Sequence, residues 1–198
     1  MIDPRPEDAL AHAAAELRRR GKRFALVGGL AISVRAEVRT TRDVDFALAI
    51  ADDAELESLV ADLAQAGYRP VATVEQEARG RLAVVRLESP AGFRVDLLAA
   101  SCGIEPEIVA AATPVQFEGA GAIPVAIAED LLAMKLLAAR PGRERDWDDA
   151  VSLLQINPHL DLALVRQRLA LISSRGFGRN EDLPAKLEAL LARRDAIS

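Results

Sequence analysis

The chain has 198 residues, 51% of them apolar, with a net charge of −5 and one cysteine. This supports one domain with a substantial core and no disulfide framework, and the lone Cys102 suits a reducing compartment. The acidic balance argues against a protein coated in positive charge for non-specific nucleic-acid binding, but the basic stretches 18–23, 140–145 and the arginines from Arg166 to Arg179 read as local patches or as solvated helix ends. No apolar run nears the roughly 20 residues of a membrane span, and the N-terminus carries acids and prolines where a signal peptide is basic and then apolar, so a soluble cytoplasmic protein is expected.

In chain order, residues 6–20 read as a helix stopped by Gly21, and 24–28 as a short buried strand. A helix is expected over 30–37, directly after Gly28 and Gly29. Residues 43–50 read as a strand and 53–67 as a helix with an apolar stripe and a glycine stop. Segments 81–89 and 93–100 flank Pro90-Ala91-Gly92 and predict a hairpin. A further short strand pair is expected within 114–127. From 128 the periodicity is helical, broken at Pro141-Gly142, Asn157-Pro158 and Ser173 to Gly178. The fold expected is α/β (α+β): a mixed sheet with flanking helices over residues 1–127, then a helical C-terminal subdomain over 128–198.

Three acids and two glycines conflict with their local pattern. Side chains alternate along a strand, so Asp43 and Asp45 share one face while Val44, Phe46 and Leu48 take the other. Two carboxylates at that spacing suit a hard cation such as Mg²⁺. Asp96 stands inside the apolar strand FRVDLLAA, where an acid is paired, ligated or solvent-facing. If that strand lies beside 43–50, three carboxylates converge and could serve a metal-assisted phosphoryl-type transfer. Gly28-Gly29 at a strand-to-helix junction admits an anion to the helix start, although a lone pair of glycines is also consistent with a tight turn.

Further along, Lys135 falls on an apolar helix face, where its head must reach an anion or water. Asp146 lies on the side of Ala150, Leu153 and Leu154, and a helix-start acid favoured by the dipole is the plain alternative. Arg39 and Arg42 could neutralise phosphates or stand as exposed loop cations, and Thr41 could be a turn residue only. Cys102, His12 and His159 form no nucleophile or zinc pattern, and Trp147 reads as packing.

"VGG", then "RTTRDVDFAL", then an isolated strand aspartate, resembles the nucleotidyltransferase superfamily that includes DNA polymerase β. Within it the Arg39, Thr41, Asp43, Asp45 spacing most resembles the AbiEii/AbiGii-type toxins, as does "AEDLLAMKLLAARPGRERDWDDAVSLL", with Arg145-Asp146 where that family has Lys-Asp. The resemblance implies transfer of an NMP from an NTP to a hydroxyl, with Mg²⁺ (or Mn²⁺) held by Asp43, Asp45 and Asp96. It also implies nucleotide contacts from Gly28, Gly29, Arg39, Thr41, Arg42 and Asp146, and charge balance from Lys135. An RNA acceptor, tRNA above all, and a cognate antitoxin follow from the toxin resemblance. A small-molecule, antibiotic-type nucleotidyltransferase and a non-catalytic nucleotide- or protein-binding module of the same fold are the alternatives. A basic surface beside the aspartates would favour RNA, and an acidic cleft a cationic small molecule.

Overall fold

A strand covered on both faces has to be apolar throughout, and β1 (Phe24–Val27) is buried at every residue. The computed structural model describes residues 5–38 and 40–195, and in it β1 lies inside a seven-stranded mixed sheet ordered β3-β4-β5-β2-β1-β7-β6. The remaining strands are β2 (Asp43–Leu48), β3 (Arg69–Gln76), β4 (Arg81–Glu88), β5 (Arg94–Leu98), β6 (Thr113–Phe117) and β7 (Gly121–Val125). β1 runs parallel to β7 and β2 parallel to β5, while the other neighbours are antiparallel.

Four helices punctuate the sheet: α1 (Pro6–Arg19), α2 (Gly28–Arg35), α3 (Asp53–Gln65) and α4 (Glu105–Ala111). Four more follow it: α5 (Ala128–Ala138), α6 (Glu144–Ile156), α7 (Leu162–Ser174) and α8 (Leu183–Asp195). α1 starts with Pro at its first positions, and the Asp8 carboxylate accepts the Arg5 amide. It buries Leu10, Ala13, Ala14 and Leu17, the i, i+3, i+4, i+7 stripe. One buried apolar cluster runs from Ala9 to Leu190, joining the sheet to the C-terminal helices. No helix among the described residues is long and apolar enough to cross a membrane.

Two elements escape the sequence pattern. β3 is a sheet edge with Val71 and Val74 about half exposed, so it shows no inward-facing alternation. α4 is only seven residues long. Its Glu105 is buried and accepts the backbone amides of Ser101, Cys102 and Gly103 at 2.5, 2.8 and 2.9 Å. One boundary also moves: α2 begins at Gly28 itself rather than at residue 30.

The segment between α7 and α8 is tied back to the sheet. Arg175 donates to the Gly103 carbonyl at 2.6 Å and to both Glu107 oxygens. Phe177 packs where a Gly103 side chain would begin, 2.3 Å from its ring. Arg79, in the β3–β4 turn, lies over the Phe177 ring at 5.8 Å.

α5 and α7 are joined by a buried ion pair: Arg168 Nε stands 2.6 Å from Oδ1 of the fully buried Asp130. Removing one partner leaves a charge stranded in the core, so Arg168→Ala is expected to cost about 3–5 kcal/mol in urea unfolding. The double variant Asp130→Leu/Arg168→Met should recover most of that loss; failure to do so would assign the cost to packing.

Candidate active site

Because side chains alternate, Asp43 and Asp45 share one face of β2, and Asp96 of the adjoining parallel β5 falls abreast of Asp45. β4 pairs with the far side of β5, placing Arg86 abreast of Asp96 and Glu88 abreast of Arg94, which itself sits abreast of Asp43. Two charged rows therefore cross the sheet: Arg86–Asp96–Asp45 and Glu88–Arg94–Asp43. Arg86 clamps Asp96 with a fork, Nε to Oδ1 at 3.0 Å and a terminal nitrogen to Oδ2 at 2.8 Å. Arg94 reaches Asp43 at 3.2 Å. Among the described residues no three carboxylate, imidazole or thiolate groups form a ready metal cage. The three acids share a face, and two of them are engaged by arginines rather than by one another.

Asp45 has no such clamp. Loss of water around it, then the charges of Asp96 and Asp43, push its pKa up to about 7 against the opposing pull of Lys135 and the Gly29 amide. Its carboxylate occupies the glycine corner: a Cβ on Gly28 would lie 2.0 Å from Asp45 Oδ2, and Gly28 has φ +64°. α2 starts there with no side-chain cap of its own. Asp45 thus meets the positive end of α2, whose Gly29 amide donates to it. That amide, expected to face a phosphate, faces the chain's own carboxylate.

The opposite wall comes from α5 and α6. Lys135 reaches the anion its position required, at 2.7 Å from Asp146 and 2.8 Å from Asp149. Asp146 also meets Arg143 at 2.8 Å. Asp149 was not singled out from the sequence, although it lies one turn beyond Asp146 on the same buried face. Thr41 lines the cleft and its hydroxyl accepts the Asp43 amide at 3.4 Å. Arg42 is exposed and is not among the lining residues. Arg39 lies outside the described residues.

These walls enclose a cleft of about 820 Å³ that holds all three aspartates, both glycines, Lys135 and Asp146. Six arginines also line it: Arg86 and Arg94, which the sequence did not single out, and Arg140, Arg143, Arg145 and Arg179, which fall in its basic stretches. Arg179 sits in left-handed backbone at φ +53° and donates to the Ser101 carbonyl at 3.2 Å. Its pKa is held down by loss of water and then by Arg140 and Arg143. The arrangement interleaves acids and cations on the sheet floor and on the helical wall, as a site handling phosphates beside a cation requires.

A family model for the AbiEii nucleotidyl transferase toxin of type IV toxin–antitoxin systems matches residues 9–196. No curated protein sequence matches significantly. Among solved structures, the antibiotic-resistance factor ANT(2'')-Ia in solution is 18% identical with a TM-score of 0.56, over 84% of this chain and 91% of that one. The complex of ANT(2'')-Ia with adenylyl-2''-tobramycin gives 19% and 0.55, over 84% and 97%. An antigenic nucleotidyltransferase-like protein from Paracoccidioides brasiliensis gives 19% and 0.50, over 93% and 92%. At these identities the likeness concerns the fold.

The glycine corner and Asp45 constrain each other. Gly28→Ala is expected to destabilise by about 2 kcal/mol or more through backbone strain and the clash. The same change should cost less in an Asp45→Ala background, and additive costs in a double-mutant cycle would disprove the contact. Asp45 also sets a pH dependence in protein kept free of divalent ions. The folded state keeps the Asp45 proton up to about 7, while the unfolded chain releases it near the ordinary carboxyl value of 3.8. Folding therefore binds a proton in that window, and stability falls as pH rises through it. Asp45→Asn should flatten this slope in urea titrations and be the more stable protein at pH 8.

Proposed function

Because the chain belongs to the AbiEii nucleotidyltransferase toxin family, we propose that it transfers an NMP from an NTP to a hydroxyl of RNA, tRNA above all, as the toxin of a toxin–antitoxin pair. The observation that carries this reading is the Asp45–Asp96 pair abreast on parallel strands, within a cleft that six arginines help to line. Oxygen-only donors on one face fit Mg²⁺ (or Mn²⁺), and the upward shift of Asp45, set by burial and then by the charges of Asp96 and Asp43, is one that a divalent cation would oppose. Asp43 and Asp45, with Asp96, would hold the ion, which when bound neutralises and orients the nucleotide's phosphates.

The chain's own groups do the rest. The Arg86 fork holds Asp96 aimed along the row, so Asp96 can receive the acceptor hydroxyl's proton as its oxygen bonds to the α-phosphorus. The bond from that phosphorus to the bridging oxygen breaks and pyrophosphate leaves. Lys135, held by Asp146 and Asp149, presents a fixed positive charge near Asp45, and Thr41 fixes the start of β2. Positioning and charge neutralisation supply most of the acceleration.

The arginines of the cleft favour a polyanionic acceptor over a cationic small molecule such as the tobramycin named with ANT(2'')-Ia. Incubation with each α-labelled NTP, Mg²⁺ and total RNA tests the reading. Labelled RNA is expected, with Asp43→Asn and Asp45→Asn reducing it at least about a hundredfold while the fold is retained. Undiminished labelling in either variant would remove the mechanism. Label on small molecules alone would remove the RNA acceptor.

A further inference from the structure

Outside the aspartate floor, the largest unexplained cluster of charge is the ridge between α5 and α6. Arg140 and Arg143 line the cleft and also a neighbouring surface groove of about 460 Å³. Groove and cleft are therefore two sides of one cationic ridge. The groove also holds Trp147, half-buried, and Arg193, exposed in the last turn of α8. Its acids are Glu144, which is engaged in accepting the Gly142 amide at 2.9 Å, and the exposed Asp148. Arg140 and Arg193 have no acid partner among the described residues. Arg179 adds a third guanidinium on the cleft side, close enough to Arg140 and Arg143 for their charges to oppose its own.

Resting on the RNA-acceptor reading above, we propose that the acceptor strand enters along the Trp147–Arg193 groove, crosses the Arg140–Arg143 ridge and presents its hydroxyl to the cleft. An NTP lies within the cleft and needs no groove outside it. A ligand that continues past the ridge is longer, and the cations it crosses select phosphates. An aromatic ring between cations is the platform on which a single-stranded base stacks. The nucleotide's own phosphates are assigned to the floor, where Lys135, not the ridge, is the cation acting on Asp45.

Trp147 is the chain's one tryptophan, so its fluorescence reports on the groove directly. A single-stranded oligoribonucleotide of about a dozen residues is expected to quench it, while an NTP with Mg²⁺ leaves it unchanged. The variant Arg193→Glu replaces one exposed side chain of the groove that lies outside the cleft, and its urea midpoint should match the wild type. It should bind the oligonucleotide at least about tenfold more weakly, and the slope of log affinity against log salt should fall by about 0.7 for one lost phosphate contact. Its affinity for the NTP with Mg²⁺, by calorimetry, should stay within about twofold. An oligonucleotide that leaves Trp147 unquenched, or that binds the variant as tightly as the wild type, overturns the proposal. A loss confined to the NTP overturns it too, assigning the groove to the nucleotide. None of these readouts needs turnover, so failure of the groove is distinguishable from failure of the transferase chemistry, which the Asp43 and Asp45 variants report.

Discussion

Two carboxylates abreast on neighbouring strands repel each other, and the sheet places Asp45 and Asp96 in that relation at its centre. Much of the surrounding chemistry offsets that repulsion. Arg86 neutralises Asp96 from one side. Asp45 cannot be clamped in the same way, because its other neighbour in the row is Val27 of β1. It leans instead on the uncapped start of α2, and that contact excludes any side chain at residue 28. Lys135 approaches from the helical side, held by two further acids. Remove the carboxylate pair and the forked arginine, the glycine corner and the lysine bridge lose their common reason.

Much of this was legible before any coordinates. Alternation put Asp43 and Asp45 on one face, and the helix wheel put Lys135 where its head needed an anion. The hairpin flanking Pro90-Ala91-Gly92 held more than was drawn from it. A turn centred on Ala91 sets residues equally far on either side abreast, so Arg86 and Asp96 had to meet. What alternation cannot reveal is which non-consecutive strands become neighbours. The parallel pairing of β2 with β5 is set by the whole sheet, and it alone decides that Asp96 joins the pair. β3 stayed hidden because an exposed edge strand has no inward face to pattern, and α4 because seven residues make barely two turns.

The arginines of the cleft were only partly legible. The chain is acidic overall, and its basic stretches read equally as local patches or as solvated helix ends. Arg140, Arg143 and Arg179 come from two interhelical turns distant in sequence, so no local window shows them together. Elsewhere acids and bases pair off: Glu107 with Arg175, Asp53 with Arg81, Glu55 with Lys22. Net charge thus describes the surface at large, while the cleft carries its own balance.

The link from the β3–β4 turn through Phe177 to the segment before α8 has a consequence for the order of assembly in the cell. The aspartate floor is complete once residue 98 has left the ribosome, but the opposing rim waits for residue 179. Translation delivers N-terminal segments first, so a nascent chain owns its carboxylates long before it owns the enclosure around them. The enclosure closes only with the segment that follows α7, and a product truncated before it is an open half-site.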